Sequence, residues 1–92
     1  GGDPLHPQNR GEVTRLAQKF KEKFPDKTIW LYTGYLFEEI KDLEIVSMTD
    51  VIVDGEFVKA QFDAKLHWKG SANQRVIDVR ETIRLKKIVL FD

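Results

Sequence analysis

The stretch Asp50-Val51-Ile52-Val53-Asp54-Gly55 contains the clearest strand pattern in the chain. Its three consecutive β-branched apolar residues suit a strand that is buried on both faces, as in a parallel sheet. A similar run, Thr28-Ile29-Trp30-Leu31-Tyr32-Thr33, lies upstream. Each run is followed by a glycine, Gly55 or Gly34, that ends it. The two runs therefore predict two buried strands.

A helix is predicted before each of these strands. Apolar residues recur at helical spacing from Asn9 to Phe24, and Pro25 ends that helix. Asn9 and Glu12 have the spacing of a capping box. A shorter amphipathic helix is predicted over 36–43. Alternating helices and strands favour right-handed crossovers, and we therefore expect an α/β fold with a mainly parallel sheet.

The pattern weakens after Gly55. A short helical or irregular segment is predicted around 57–62, and a strand over 75–79. We expect a turn or a single helical coil over 81–87 and a terminal strand over 88–91. Between these elements, residues 66–74 form a loop rich in hydrogen-bonding groups.

Length and composition limit the classes of function. The 92 residues suffice for one domain, and 15 basic residues balance 15 acidic ones. No global field therefore favours nucleic acid or a membrane surface. The chain has no cysteine, which excludes disulfides and thiol chemistry within it. It lacks transmembrane and signal-peptide patterns and opens on Gly1, so we expect a cytoplasmic piece of a longer protein.

The candidate site lies where the predicted strands end. In parallel α/β sheets, ligands bind beyond the carboxyl ends of the strands. Such ends are predicted at Gly1-Gly2-Asp3, Thr33-Gly34-Tyr35 and Asp54-Gly55, which should share one rim. The paired glycines allow main chain to approach a ligand closely, and Asp3 offers an anionic acceptor for an ammonium or a hydroxyl group.

Structural roles are also open for these residues. Thr33 can cap a helix, Tyr35 can pack as an aromatic residue, and Asp54 can satisfy the amides of a turn. In the polar loop, His67 and Trp68 fit a surface aromatic cluster. Residues 71–74 can cap main-chain groups instead of facing a partner.

The residues form no complete catalytic constellation. His6 and His67 have no cysteine partner and no metal-ligand spacing. The glycine-rich nucleotide motifs are also missing from the sequence, so no nicotinamide or nucleoside-triphosphate site is indicated.

Four segments together carry a resemblance to a known family. They are Gly1-Gly2-Asp3-Pro4-Leu5-His6-Pro7-Gln8-Asn9, Trp30-Leu31-Tyr32-Thr33-Gly34-Tyr35, Asp50-Val51-Ile52-Val53-Asp54-Gly55-Glu56-Phe57 and Trp68-Lys69-Gly70-Ser71-Ala72-Asn73-Gln74-Arg75-Val76-Ile77-Asp78. In this order they resemble the carboxyl-terminal part of the anaerobic ribonucleoside-triphosphate reductase activating proteins, which are radical S-adenosylmethionine enzymes.

The resemblance implies a specific chemistry for the longer protein. Members of this family hold a [4Fe-4S] cluster through a Cys-x-x-x-Cys-x-x-Cys motif, and the reduced cluster cleaves S-adenosylmethionine. The resulting radical takes hydrogen from a glycine of the reductase. The partners implied are the catalytic subunit of the anaerobic ribonucleotide reductase and an electron donor such as flavodoxin.

The resemblance also assigns roles to individual residues. Gly1-Gly2-Asp3 is similar to the family motif that contacts the methionine amino group. Residues 33–35 and 54–55 correspond to strand ends that line the cofactor pocket. For the polar loop, we hypothesise that Lys69, Ser71, Asn73 and Gln74 contact either the cofactor or the reductase.

The missing cysteines set this chain apart from the family pattern. Residues 1–92 are expected to form a single incomplete domain, the second half of a partial (β/α) barrel, which is inactive alone and exposes an apolar edge. Such an edge favours marginal stability or association into a homodimer. The alternative is a non-catalytic α/β module that binds a nucleotide or a protein.

Overall fold

The computed structural model describes residues 2–91, which contain four α-helices and three strands. None of the described helices is long and apolar enough to cross a membrane. The chain has an α/β fold, as predicted. In chain order the elements are α1 (Arg10–Lys23), β1 (Trp30–Tyr32), α2 (Phe37–Ile40), α3 (Glu44–Ser47), β2 (Val51–Asp54), a 3₁₀ turn (Lys59–Gln61), β3 (Arg75–Asp78) and α4 (Val79–Leu85).

The three strands form one mixed sheet in the order β1-β2-β3. β1 runs parallel to β2, with Leu31 opposite Ile52, whereas β3 runs antiparallel to β2, with Ile77 opposite Ile52. The predicted mainly parallel sheet is therefore not observed, because one of the two strand pairs is antiparallel. A parallel pair needs a long crossover, usually a helix, but residues 55–74 form a loop with only a 3₁₀ turn, which lets the chain reverse.

Both faces of the sheet are covered. One face packs against the helices and forms the main core, made of Leu5, Ala17, Leu31, Phe37, Ile40, Ile45, Val46, Ile52, Ile77 and Val79. The other face carries Val51, Val53 and Val76, against which Trp30 and Phe91 pack. All four residues of β2 are buried, in agreement with the apolar run Val51-Ile52-Val53 and including the Asp54 carboxylate that follows it.

The first helix forms as predicted, but its start differs. Asn9 makes no side-chain capping bond to the helix, so the predicted capping box is wrong. The Asn9 side-chain amide instead donates to the carbonyl of Asp3 at 2.9 Å. The start of α1 is therefore tied to the segment that carries the candidate site.

Three other predicted elements have different bounds. Of the helix predicted over 36–43 only α2 forms, and a second short helix, α3, follows beyond the predicted range; the turn between them lets Ile40 and Ile45 reach the same core. α4 begins at Val79, where Asp78 caps it by accepting from the Glu81 amide at 3.0 Å. The terminal run over 88–91 forms only one bridge, between Ile77 and Leu90.

The two edges of the sheet differ. Along β3, the amide of Asp78 donates to the carbonyl of Val89 and the amide of Phe91 to that of Val76, both at 2.8 Å. Within residues 2–91, no strand pairs with the outer edge of β1. Three strands do not form a barrel, so the partial barrel remains a prediction.

Candidate functional site

Asp3 lies at the carboxyl end of β1 and is held there by several donors. Its Oδ1 accepts hydrogen bonds from the Leu5 amide and the Thr33 hydroxyl, each at 2.9 Å. Its Oδ2 accepts from the Gly34 amide at 2.8 Å. The carboxylate therefore joins the amino-terminal segment to the residues that follow β1.

An open cleft of about 620 Å³ lies beside Asp3. It is lined by Asp3, Gly34, Tyr35, Leu36, Glu39 and Glu56. Glu39 Oε1 accepts from the Leu36 amide at 2.8 Å, whereas the Glu56 side chain is exposed. Three carboxylates around one cleft favour a positively charged ligand over an anion.

Gly34 keeps the cleft open next to Asp3. A Cβ atom at this position would lie 3.3 Å from Asp3 Oδ2 and 3.7 Å from Glu56 Cγ. The first distance is tighter than an ordinary van der Waals contact. A larger residue at position 34 would therefore crowd the carboxylate.

The segment after β1 links two of the predicted strand ends. Thr33 is buried, and its hydroxyl accepts from the Tyr35 amide at 3.2 Å. The Gly55 amide donates to the Tyr35 carbonyl at 3.1 Å. The structure thus brings together residues 3, 33–35 and 54–55, whereas Gly1 lies outside the described residues.

Asp54 lies inside the fold and does not line the cleft. Its side chain is 0% exposed, and its Oδ2 accepts from the Phe37 amide at 2.7 Å. Arg75 Nε donates to Asp54 Oδ1 at 3.0 Å, and the same guanidinium bonds Glu38. The hydrogen bond that Arg75 donates to Asp54, followed by the one it donates to Glu38, raises the pKa of Arg75 above its usual value. A ligand in the cleft would meet Glu56 instead.

Gly55 has the backbone conformation of a tight turn. Its φ is +96°, in the left-handed region that favours glycine. The turn directs the chain from the buried Asp54 to Glu56, which lines the cleft. Gly55 is therefore required for the turn of the main chain and does not itself line the cleft.

The polar loop bonds mainly to itself and to the chain after β2. Ser71 is buried, donates to Asn73 Oδ1 at 2.6 Å and accepts from the Val58 amide at 3.1 Å. Gln74 Oε1 accepts from the amides of Gly70 and Ser71 at 2.9 and 3.1 Å. These bonds hold the loop closed.

Two of the loop amides hold the edge of the cleft. Asn73 Nδ2 donates to the Glu56 carbonyl at 2.7 Å, and Gln74 Nε2 donates to the Gly55 carbonyl at 2.9 Å. Lys69 Nζ lies 3.5 Å from the Ala72 carbonyl. The polar groups thus fix Glu56 in place, and a ligand contact by the loop remains a prediction.

Four residues of this region, Glu39, Glu56, Arg10 and Arg75, were not predicted from the sequence. The Arg10 guanidinium carbon lies 5.6 Å from the centre of the Tyr35 ring, and Arg10 Nε donates to the Leu5 carbonyl at 2.7 Å. Only Glu56 carried a signal, because it directly follows the predicted strand end at 54–55.

Comparison with known proteins places the chain in a functional context. Residues 1–77 match the family described as a 4Fe-4S single cluster domain. The relatives include proteins named anaerobic ribonucleoside-triphosphate reductase-activating protein from Enterobacteria phage T4, Vibrio cholerae and Escherichia coli K12. No solved structure matches the chain significantly.

The relatives are close in sequence but longer. The phage T4 protein is 54% identical over 76 residues, which cover 83% of this chain and 48% of the relative. The Vibrio cholerae protein is 49% identical over 76 residues, covering 80% of this chain and 49% of the relative. The Escherichia coli protein is 43% identical over 82 residues, covering 87% and 53%. The chain spans about half the length of these relatives.

The residues present do not fit an iron–sulfur cluster. Such clusters are held by cysteine thiolates, and the chain has no cysteine. The structure, over residues 2–91, also has no group of three or more His, Asp or Glu residues that could hold a metal ion.

Proposed function

Because this chain belongs to the 4Fe-4S single cluster domain family and is homologous to the anaerobic ribonucleoside-triphosphate reductase-activating proteins, we propose that it supplies part of an S-adenosylmethionine site. The observation that carries the proposal is the position of Asp3 at the edge of an acidic cleft. S-adenosylmethionine carries an ammonium and a sulfonium group, and both are cationic.

In this proposal, Asp3 Oδ2 accepts a hydrogen bond from the methionine ammonium. A hydrogen bond between an ammonium and a carboxylate is charge-assisted and about twice as strong as a neutral one. Glu56 and Glu39 add negative potential along the same cleft. Gly34 leaves the space that the amino-acid part of the ligand needs.

The activity belongs to a longer protein in this proposal. There the chain would form part of a radical S-adenosylmethionine barrel whose cluster is held by thiolates outside these 92 residues. The proposed reaction is formation of a glycyl radical on the catalytic subunit of the anaerobic ribonucleotide reductase. An electron donor such as flavodoxin would complete the system, and the 92 residues alone would be inactive.

Nuclear magnetic resonance titration of the ¹⁵N-labelled chain with S-adenosylmethionine tests the binding site directly. We expect the amides of Gly34, Tyr35 and Glu56 to shift, because they surround the cleft. Asp3→Asn should weaken binding by about tenfold or more, the effect of losing a hydrogen bond to a charged group. Asp26→Asn, in an exposed turn, is the matched control and should bind like the wild type. Unshifted cleft amides at millimolar ligand would refute the proposal.

A further inference from the structure

We propose that the Thr33 hydroxyl is a positioning group that determines which lone pair of Asp3 faces the ligand. The inference rests on the proposed function and assigns a role to a residue that does not itself line the cleft. It is based on the hydrogen bonds that converge on the Asp3 carboxylate and on the burial of Thr33.

The number of donors leaves Asp3 little freedom. An ionised carboxylate offers about four acceptor positions. Three donors of the chain occupy most of them, namely the amides of Leu5 and Gly34 and the hydroxyl of Thr33. Thr33 Oγ1 lies 2.9 Å from Oδ1 and 3.2 Å from Oδ2, so its single hydrogen favours Oδ1. One position on Oδ2 is then left for a ligand.

Thr33 itself is fixed by its surroundings. It is 5% exposed, its amide donates to the Val53 carbonyl at 3.0 Å, and its hydroxyl oxygen accepts from the Tyr35 amide. Since that oxygen already accepts a hydrogen bond, its own hydrogen points to Asp3. The hydroxyl therefore acts on the ligand through Asp3 and not by contact.

Without this hydroxyl, the amides of Leu5 and Gly34 would remain, one on each oxygen, and the two oxygens would no longer differ in their number of donors. Asp3 would be held by two donors instead of three, and Oδ2 would present its free position to the ligand for only part of the time. The expected effect is weaker binding of an ammonium group at an otherwise intact cleft. Binding of a ligand without an ammonium group should not change.

The test uses three further variants of the chain beside Asp3→Asn, and two ligands. Thr33→Val removes the hydroxyl at nearly constant shape, and Thr33→Ser retains it. Thr49→Val is the matched control, because Thr49 is equally buried and its hydroxyl donates to the Ile45 carbonyl at 2.8 Å. The ligands are S-adenosylmethionine and its analogue in which hydrogen replaces the amino group, and the readout is the shift of the Gly34 amide.

We expect Thr33→Val to bind S-adenosylmethionine about fivefold to tenfold more weakly, which corresponds to the loss of one hydrogen bond. Thr33→Ser and Thr49→Val should stay within about twofold of the wild type, a range set by small changes in packing. All four proteins should bind the analogue without the amino group equally.

Each other outcome separates the inference from the proposed function. If Asp3→Asn weakens binding and Thr33→Val does not, the positioning role is wrong and the ammonium site stands. If Thr33→Val weakens both ligands equally, the hydroxyl acts only on the fold, which also overturns the inference. If the wild type binds neither ligand, the proposed function fails and the inference fails with it.

Discussion

The Asp54 carboxylate was predicted either to line the ligand site or to satisfy main-chain amides, and the structure buries it between Arg75 and the Phe37 amide. A buried charge needs a counter-charge and hydrogen bonds, and Arg75 and the Phe37 amide provide them. The residue type was visible in the sequence. Its partner was not, because Arg75 lies 21 positions away and only the fold brings the two together.

Arg75→Met is expected to lower the free energy of unfolding by about 2–3 kcal/mol, because it leaves the Asp54 carboxylate without its counter-charge. The loss is smaller than for a fully buried pair, since the Arg75 side chain is 31% exposed. Urea unfolding measures it. Arg84→Met, which breaks an exposed pair with Glu81, is the control and should have a much smaller effect. Equal stability of the two variants would contradict the interpretation of Asp54 as an anchor.

Gly34→Ala is expected to weaken S-adenosylmethionine binding by roughly tenfold, because its Cβ would crowd an Asp3 carboxylate that three donors hold in place. The same titration by nuclear magnetic resonance measures the change.

Gly11→Ala is the control. A Cβ at position 11 meets no atom within 4 Å, so this variant should bind normally. Its free energy of unfolding should rise by about 0.5–1 kcal/mol, because alanine favours the helix. If Gly34→Ala binds S-adenosylmethionine like the wild type, the Asp3 carboxylate can move away from the added Cβ, and the prediction is wrong.

Asp50 ties three segments together at the start of β2. It accepts from the Ile29 amide at 2.8 Å, from Arg80 Nε at 2.7 Å, and lies 3.4 Å from Lys21 Nζ. Burial is the largest influence and by itself would raise the pKa of Asp50. The hydrogen bonds from Ile29 and Arg80, with the charge of Lys21, outweigh it and lower that pKa below 3.8.

Because the pKa of Asp50 is lower in the folded state than in the unfolded state, the free energy of unfolding decreases as the pH falls. The stabilisation is complete well above pH 3.8, the unfolded value, and is lost as the pH falls below it through the folded pKa. We expect Asp50→Asn to show a smaller loss of stability between about pH 5 and about pH 3 than the wild type. Urea unfolding at both pH values checks this. Parallel pH profiles of the two proteins would contradict it.

The loop over 69–74 is expected to act on the cleft through Glu56. Asn73→Asp keeps the oxygen that accepts from Ser71 and removes the amide that donates to the Glu56 carbonyl. This variant should shift the Glu56 amide resonance and lose about 1 kcal/mol of stability, the value of one hydrogen bond. If both S-adenosylmethionine affinity and, in the proposed longer protein, reductase activation stay unchanged, the loop has no role in either.

Helices and strands followed from periodicity, but the direction of the last strand did not. Val76 and Ile77 lie on opposite faces of the sheet, as neighbouring residues of a strand do. This arrangement is the same whether the neighbouring strand is parallel or antiparallel. Direction depends on how the chain returns after Gly55, which is a matter of long-range pairing. The ends of β1 and β2 lie at one rim because these two strands pair in parallel. Asp3, which was predicted to follow a strand, reaches this rim from a segment of the described residues that forms no strand.

Exposed apolar surface surrounds one edge of the molecule. Leu16, Phe20 and Phe24 on or beside α1 are 59%, 37% and 42% exposed. A groove of about 510 Å³ between α1 and β1 continues this surface next to the β1 edge, with which no strand of the described residues pairs. Such a surface favours association, since it combines apolar contact with free backbone groups.

Sedimentation equilibrium should therefore show self-association of the chain that grows with concentration. The double substitution Leu16→Lys and Phe20→Lys should shift the population towards the monomer, because it places charges on the apolar surface. Ile83→Lys, on α4 and 52% exposed at present, is the control and should change association less. A wild-type chain that stays monomeric and melts cooperatively at micromolar concentration would contradict this expectation.

The closure of the loop after β2 also bears on how this protein can vary in evolution. The bridge between Phe62 and Ser71 and the bond from the Ala72 amide to the Gln61 carbonyl seal that loop at its base. Insertions at 64–66 would lengthen only the far end, at a cost that grows slowly with loop length. Homologues should therefore differ in length there, while a deletion within 71–74 would open the base and release Glu56.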